Sequence, residues 1–353
     1  MAVMTVLGPI DGEQLGVTLM HEHLLIDVSY KWQQPTEVTL RALAEQPITL
    51  ANLGYLRRNI GAVRANFRLD DVDTAAAEAL AFKRDGGDTI VDVSPVGIGR
   101  DPRALRAIAA QSGVNVVTCT GYYLARSHPA TVADASIEAL AEEMIAEIRG
   151  GIGHTGVRPG IIGEIGLGEP MYVVGHTGDE MHRDEEKVLR AAGRAQLATG
   201  LPLTLHIYNY RPNRLAHLAL DALEEEGVAL DRVVVGHLDV RIDVEYADSV
   251  AARGAYAEFD TFGIEAYLDS SLSEYPRDIE RVAALVELVQ RGYVERLLVS
   301  HDVCTKMQLV AYGGWGYGHL SRHIEPRLRK AGLSDAQIAT IRVANPRRLL
   351  DVC

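Results

Sequence analysis

Short runs of apolar residues alternate along the chain with longer stretches whose apolar positions repeat at helical spacing. Runs such as Val233–Val235 and Leu297–Val299 are apolar at every position, which is typical of parallel strands covered on both faces. The segments predicted as strands are Gly16–Met20, Asp88–Ser94, Val114–Thr120, Gly160–Glu164, Leu201–His206, Arg232–His237, Gly254–Asp260 and Arg296–His301. This pattern predicts an α/β fold.

The stretches between these strands have one apolar face each. Between the third and fourth strands, Ile137, Leu140, Met144 and Ile148 share a helical face, and glycines follow as a stop signal. Similar stretches end before Gly200 and Gly292. Eight strand–helix units favour a closed (β/α)8 barrel (TIM barrel), although an open doubly wound sheet has the same local pattern, and periodicity does not separate the two.

The chain of 353 residues contains no low-complexity tract, proline-rich linker or charge block. We therefore expect residues 1–353 to form a single barrel domain. Two connections are long, 28–73 after the first strand and 303–319 after the last, and such excursions are usually lids or docking surfaces. The first is predicted to contain a helix around Thr49–Asn66.

Composition and charge exclude several classes of function. A net charge of −13, from 35 basic and 48 acidic residues, disfavours a nucleic-acid partner, because polyanion binding depends on clustered Lys and Arg. No apolar run is long enough to cross a bilayer and no signal peptide is evident. Three cysteines without a CxxC pair indicate a reducing cytoplasm and no thiolate zinc site.

Candidate chemistry is concentrated where the predicted strands end. His21 and His23 follow the first strand, and the strand-end residues further along the chain are Glu164, His206, His237 and the pair His301-Asp302. In barrel enzymes the reacting groups lie at the carboxyl ends of the strands. Since residues i and i+2 of an extended segment point the same way, His21 and His23 can hold one ion together, with Glu22 directed into a structural contact.

Imidazoles and carboxylates without thiolates suit zinc, manganese, cobalt or iron. We predict a metal centre built from His21, His23, Glu164, His206, His237 and Asp302. Each residue alone has a plainer interpretation, since one HxH motif among 12 histidines is unremarkable and a buried glutamate is often a salt-bridge partner. Their joint occurrence at successive strand ends favours metal binding.

Several short motifs stand in order along the chain: Leu7–Ile10, Leu19–Leu24, Gly236–Asp239, Ser300–Asp302, Gly313–Tyr317 and Asn345–Pro346. Together they resemble the phosphotriesterase family of the amidohydrolase superfamily, over essentially the whole chain. The resemblance implies two divalent metal ions, zinc first and Mn²⁺, Co²⁺ or Fe²⁺ as alternatives. It also implies that His21, His23 and Asp302 bind the more buried ion, that His206 and His237 bind the more exposed ion, and that Glu164 bridges both beside a hydroxide.

Two positions depart from the pattern of the family. Many members have a carboxylated lysine where this chain has Glu164, so the chain resembles the glutamate-bridged branch that includes the phosphotriesterase homology proteins. Val240 stands where some members have an acidic residue, which weakens any proton relay leading outward from Asp302. In the expected mechanism Asp302 accepts a proton from the metal-activated hydroxide, and Asp239 orients a metal-bound histidine or relays that proton.

Substrate contacts are expected on the loops that follow the strands. The candidates are Tyr122, Tyr123, Arg126, Tyr208, Arg211, Thr261, Phe262, Lys306 and Trp315. For the aromatic residues, loop packing is an equally good interpretation, and the cations are more often solvated. A cation that pointed inward would favour a substrate carrying a carboxylate, sulfonate or phosphate.

The preferred function is hydrolysis of a lactone, a carboxylic ester or an N-acyl amide of a small molecule. Hydrolysis of a phosphotriester or phosphoester is the alternative, because the family resemblance places both activities side by side. Gly163–Leu167 also resembles the strand-four motif of TatD-type deoxyribonucleases, against which the net acidity counts. A non-catalytic small-molecule sensor stays open because a fold does not imply catalysis, and a homodimer is expected from the family.

Overall fold

The computed structural model describes residues 2–32, 34–35, 37–168, 180–207, 209, 213–268 and 273–352. Within these residues, eight parallel strands surround a central axis. They are β1 (Thr18–Glu22), β2 (Thr89–Asp92), β3 (Asn115–Val117 and Cys119–Thr120), β4 (Ile161–Leu167), β5 (Leu203–Ile207), β6 (Val233–Val235), β7 (Tyr256–Phe259) and β8 (Leu297–Val299). Every predicted strand overlaps one of them.

The strands pair in sequence order, from β1 with β2 through to β7 with β8, and every pairing is parallel. The gap between β8 and β1 is closed by two hydrogen bonds. The Asp302 N–H donates to the His21 carbonyl (3.3 Å), and the His21 N–H donates to Ser300 Oγ (3.2 Å). The sheet is therefore a closed (β/α)8 barrel, and the open-sheet alternative is wrong.

Helices cover the outside of the barrel and begin at residues suited to capping. Asp101, directly before Pro102, accepts hydrogen bonds from the N–H groups of Arg103 and Ala104, and Ser136 accepts one from Ala139. The α-helices of the described parts are Val38–Ala44, Leu50–Leu56, Val72–Arg84, Pro102–Ser112, Thr131–Asp134, Ile137–Gly150, Arg183–Thr199, Leu215–Glu225, Val244–Ala252, Asp278–Gln290, Glu325–Lys330, Asp335–Ala339 and Asn345–Leu350. No helix among the described residues has both the length and the apolar character needed to cross a membrane.

Alternation along the strands divides the core into two layers. Leu19, Ile90 and Val116 belong to the large cluster that also contains residues of the surrounding helices. Met20 and Val91 belong to a second cluster, which fills the amino-terminal half of the barrel interior together with residues from both ends of the chain. Because apolar side chains occupy this half of the interior, the polar interior positions are at the carboxyl ends of the strands.

The two long connections pack against each other on one side of the barrel mouth. The Met307 N–H donates to Asn66 Oδ1 (2.9 Å) and the Arg57 guanidinium donates to the Gly313 carbonyl (2.9 Å). The helix predicted around Thr49–Asn66 is shorter than expected, because it ends at Leu56 and short 3-10 turns follow at 60–62 and 64–67. Asn59 accounts for the break, since its side chain accepts from the Gly61 N–H and starts a new turn.

Candidate active site

The six residues predicted as metal ligands converge at the carboxyl ends of the strands, with Glu164 in the middle. Glu164 Oε2 lies 3.3 Å from His21 Nε2, 3.1 Å from His206 Nδ1 and 3.7 Å from His237 Nε2. Glu164 Oε1 lies 3.4 Å from His23 Nε2. The same His23 nitrogen is 3.3 Å from Asp302 Oδ1, so side chains at or just beyond the carboxyl ends of β1, β4, β5, β6 and β8 meet at one point.

The backbone takes rare conformations where it presents these groups. His237 (φ 60°) and Asp302 (φ 48°) are non-glycine residues in the left-handed region, which costs about 1–3 kcal/mol each. Gly163, directly before Glu164, has φ 101°, and a β-carbon there would collide with the Thr204 carbonyl oxygen. Strain of this kind at a cluster of histidines and carboxylates is typical of a functional site.

A hydrogen bond determines which nitrogen of His23 faces the cluster. Ser94 Oγ donates its proton to the Leu25 carbonyl (2.9 Å) and lies 2.9 Å from His23 Nδ1. Ser94 must therefore accept from an Nδ1–H of His23, which leaves the Nε2 lone pair directed at Glu164 and Asp302. That is the tautomer that a metal-binding histidine requires.

Asp260, directly after β7, is in contact with two of the histidines. Its Oδ1 accepts from His237 Nδ1 (2.8 Å) and its Oδ2 accepts from the His237 backbone N–H (2.9 Å). The same Oδ2 is 3.3 Å from His21 Nδ1. Glu258, two residues earlier on the same interior face, approaches His21 Nδ1 to 3.4 Å. The two carboxylates direct the opposite nitrogens of His21 and His237 toward Glu164.

Glu22 makes the structural contact expected of it. Its Oε1 accepts from Ser300 Oγ (2.7 Å) and from the backbone N–H and Nδ1 of His301 (2.9 and 2.7 Å), while Oε2 accepts from the Val303 N–H (3.0 Å). These bonds attach β1 to the segment that carries Asp302. Glu22 thereby sets the position of Asp302 relative to His21 and His23.

The orienting role expected of Asp239 requires contact with a histidine of the cluster, but Asp260 lies between Asp239 and the histidines. Its carboxylate accepts from the backbone N–H groups of Asp260 (3.1 Å) and Thr261 (3.0 Å) and from Nε of the fully buried Arg281 (3.0 Å). Burial raises the pKa of Asp239 to about 6, against the lowering influence of Arg281. Asp239 therefore supports the backbone of Asp260, and Asp260 is the residue that contacts the histidines.

Charges in the cluster are strongly coupled. Burial would raise the pKa of Glu164, but His21 and His206 hold it well below its ordinary value. Burial lowers the pKa of His206 to about 4. Burial would also lower the pKa of His237, but the Asp260 and Glu164 carboxylates together raise it to about 10. The pKa of Asp302 is likewise lowered, because the neighbouring histidines outweigh the effect of burial. Glu164 and Asp302 are thus carboxylates at neutral pH.

These groups fit a metal centre. His237 Nε2 and His206 Nδ1 are only 2.6 Å apart, and both nitrogens of His21 are buried without a hydrogen-bond partner among the described atoms. His21, Glu164 and His237 offer ligand atoms within 4.8 Å of one another, as do His21, His23 and Asp302. Converging nitrogen and oxygen lone pairs of this kind suit divalent zinc, manganese, cobalt or iron.

The predicted substrate contacts lie at different depths. Tyr123 is in contact with the cluster, since its hydroxyl is 3.2 Å from both nitrogens of His206. Tyr122, Thr261 and Phe262 are buried, and Tyr208 and Arg211 lie outside the described residues. The remaining three are on the rim: Arg126 is exposed, Lys306 pairs with Asp70 (3.1 Å), and Trp315 is half-exposed against His319 and His323.

Several residues around the site were not found by sequence reasoning. Asp260 had the clearest sequence signal of a site residue, because it ends the seventh predicted strand with a carboxylate, as Glu164 ends the fourth. Ser94 ends the second predicted strand in the same way. Lys31, Glu258 and Arg281 carried no such signal, because their distance from the cluster depends on the folded structure.

Comparisons with known proteins agree with this geometry. The profile of the Phosphotriesterase family matches residues 1–350. The N-acetyltaurine hydrolase of Dictyostelium discoideum is 33% identical, with 99% of this chain and 98% of that protein covered. A resiniferatoxin-binding protein from Rhodobacter sphaeroides is 42% identical, with a TM-score of 0.92 over 100% of this chain and 96% of that chain. The phosphotriesterase homology protein of Escherichia coli, solved with phosphate in its active site, is 30% identical, with a TM-score of 0.75 over 96% of this chain and 99% of that chain.

The match to the family extends over nearly the whole chain and includes every residue of the cluster. Phosphotriesterase-family proteins are binuclear metal enzymes, and the histidines and carboxylates around Glu164 include groups able to hold metal ions. The ordered motifs and the closed barrel agree with the same assignment. The chain therefore belongs to the phosphotriesterase family and is a metal-dependent hydrolase of that family.

Proposed function

We propose that this chain holds two divalent metal ions and hydrolyses the acyl bond of a small molecule, with an N-acyl amide as the preferred substrate and lactones and carboxylic esters in the same class. The observation that carries this proposal is the convergence of four imidazoles and two carboxylates at the barrel mouth. We propose zinc as the first choice, with manganese, cobalt and iron as alternatives, since all four accept imidazole and carboxylate ligands.

His21, His23 and Asp302 would hold one ion, His206 and His237 the other, and Glu164 would contact both. The ions, when bound, supply a water whose pKa is lowered to about 7 and polarise the substrate oxygen. Asp302 and His206 have the most exposed side chains of the six, at 17% and 11%, whereas those of His21, His23 and Glu164 are exposed by 2% or less. We infer that substrate approaches from the side of Asp302 and His206.

Asp302 is the residue proposed to move a proton. Its carboxylate lies beside His23 and faces the opening, so Oδ can accept a proton from the attacking water and return it to the leaving group. The Gln308 side-chain amide donates to the Asp302 carbonyl (2.8 Å), which helps to hold the rare backbone conformation at this residue. Asp260 keeps His237 and His21 oriented throughout and is not itself proposed to exchange protons with substrate.

The choice of an amide rests on similarity to a protein named for that activity. The Dictyostelium protein called N-acetyltaurine hydrolase is similar over nearly its full length, and cleaving N-acetyltaurine breaks an N-acyl amide. The bacterial structure with phosphate in its active site supports the second candidate, a phosphoester or phosphotriester. The Rhodobacter sphaeroides structure is named for the binding of resiniferatoxin, which supports small-molecule recognition and names no reaction. A deoxyribonuclease has no comparable support.

The test is a substrate panel combined with metal analysis. Protein loaded with each metal in turn would be assayed on N-acyl amides, lactones, carboxylic esters and phosphotriesters, and its metal content measured. We expect about two ions per chain and the highest kcat/KM on an N-acyl amide. The Asp302→Asn variant should lose most of its kcat; near-normal kcat in that variant, or a clear preference for phosphotriesters, would contradict the proposal.

Three wider predictions accompany this function. We propose that residues 1–353 act as one domain, that the protein works in the cytoplasm, and that it forms a homodimer. Limited proteolysis, cell fractionation and sedimentation would check them in turn. The proposed partner is a small-molecule substrate and not a nucleic acid, in keeping with a net charge of −13.

A further inference from the structure

Lys31 is brought to the active site by the first long connection. The base of this connection is an antiparallel pair, Ile26–Asp27 with Arg68–Leu69. A 3-10 turn at Ser29–Lys31 follows, and the Lys31 N–H donates to the Val28 carbonyl (3.0 Å). The turn is thereby fixed at the barrel mouth, and the Lys31 side chain is partly buried.

The Lys31 ammonium is in contact with the residues around His206. Its Nζ donates to the Tyr123 hydroxyl (2.8 Å) and lies 4.7 Å from the centre of the Tyr123 ring. That hydroxyl is 3.2 Å from the His206 nitrogens, so only two hydrogen-bond lengths separate the ammonium from the imidazole. The positive charge of Lys31 is therefore close to one of the residues proposed to bind metal.

Lys31 is a partly buried cation at the mouth that has no ion-pair partner among the described residues. Lys306 pairs with Asp70 at 3.1 Å, and Arg68 pairs with Asp27 at 3.0 Å. No ion pair of the described residues includes Lys31, although acidic residues outnumber basic ones in the chain by 48 to 35. A partly buried charge without a counter-ion is unfavourable, and an anion that entered the site would remove this penalty.

We propose that Lys31 binds the anionic group of the substrate, so that the compound cleaved at this site is an N-acyl amide carrying a sulfonate or carboxylate a few bonds from the scissile carbonyl. This inference rests on the proposed function. The acyl carbonyl would lie beside Glu164 and His206, and the acidic tail would reach the Lys31 ammonium. A neutral lactone or phosphotriester would leave the charge of Lys31 without a counter-ion.

The geometry favours a compact substrate. Tyr123 lies between Lys31 and His206 and contacts both, so the anionic group and the reacting carbonyl must be close together. A two-carbon spacer between the amide nitrogen and a sulfonate or carboxylate has this character. Lys31 would then form a charge-assisted hydrogen bond with one anionic oxygen while it keeps its bond to Tyr123.

The first experiment measures binding without turnover. Isothermal titration calorimetry would compare 1-propanesulfonate, butyrate and neutral 1-propanol on metal-loaded wild type and on the variants Lys31→Gln and Lys31→Arg. We expect both anions to bind wild type and Lys31→Gln to weaken them by about 10- to 100-fold, the range for a hydrogen bond to a charged group. Lys31→Arg should retain most of the affinity, and 1-propanol should show no dependence on Lys31.

The second experiment measures turnover and separates this inference from the proposed function. N-acetyltaurine and N-acetyl-β-alanine would be compared with neutral N-acetylethanolamine. In Lys31→Gln we expect KM to rise by about 10- to 100-fold for the two anionic amides, with kcat and the KM of the neutral amide little changed. A larger rise for one anion would identify whether a sulfonate or a carboxylate is preferred.

Lys83→Gln is the matched control, because Lys83 pairs with Asp88 (2.9 Å) at the amino-terminal end of β2, away from the site. Metal content and thermal unfolding would be compared for all variants. Equal KM changes for neutral and anionic amides, anion affinity unchanged by Lys31→Gln, or no anion binding to wild type would overturn the assignment of Lys31. Anion binding that depends on Lys31, without hydrolysis of any amide, would instead overturn the proposed function and leave the anion site standing.

Discussion

Replacing Asp260 by asparagine tests whether a carboxylate outside the ligand set controls the metal centre. Asp260 is fully buried, and its carboxylate accepts hydrogen bonds from Nδ1 and from the backbone N–H of His237 at 2.8 and 2.9 Å. Its Oδ2 also lies 3.3 Å from His21 Nδ1. Asparagine has the same size but replaces one acceptor oxygen with an NH₂ donor. Whichever way the amide turns, a donor must then face a donor.

The size of the effect follows from these contacts. A hydrogen bond to a charged group contributes about 1.5–3 kcal/mol, and the loss of a partner that orients a metal-binding histidine typically lowers metal affinity by about 10- to 100-fold. Asp260 contacts both His237 and His21, which we propose bind different ions. We therefore expect Asp260→Asn to weaken both sites by about 10- to 100-fold each.

The assay is competition for zinc between the protein and a chromophoric chelator, with two binding steps resolved. Urea denaturation of the metal-free protein would show separately how much folding stability the substitution removes. Asp101→Asn is the control, since Asp101 caps a helix on the protein surface and asparagine is an equally good cap. Wild-type zinc affinity in Asp260→Asn, or a loss no larger than that of the control, would refute the orienting role.

Three other substitutions have definite outcomes. Arg281→Met leaves the buried Asp239 without its cation, so urea denaturation should show a loss of about 3–5 kcal/mol, and a loss below about 1 kcal/mol would count against a buried pair. Ser94→Ala removes the acceptor for His23 Nδ1–H and should weaken one zinc site by about tenfold, which the chelator competition detects; unchanged affinity would exclude tautomer control. Burial raises the pKa of Glu258 from 4.5 to about 7, so the folded metal-free protein binds this proton more tightly than the unfolded chain, and the contribution of Glu258 to stability falls as the pH rises from 4.5 to 7. Glu258→Gln should flatten the pH profile of the unfolding free energy in that interval, and an unaltered slope would show that Glu258 does not titrate there.

The amino-acid sequence by itself determined the fold class and the composition of the cluster. Continuous apolar runs are read directly as doubly covered parallel strands, and parallel strands with alternating helices must place their carboxyl ends on one face. Histidines and carboxylates at successive strand ends therefore had to meet, whatever the details of packing. Glu164 and His237, 73 positions apart in the chain, were predicted to be neighbours on this ground alone.

Only the tertiary structure decided which residues surround that cluster. Barrel closure and strand register bring Asp260, directly after β7, to His237 after β6 and to His21 of β1, while Asp239 pairs with Arg281. The course of the first long connection brings Lys31 to Tyr123. Strand periodicity specifies the direction of a side chain within its own element, but distances between elements depend on register, twist and loop path, which arise from the packing of the whole chain.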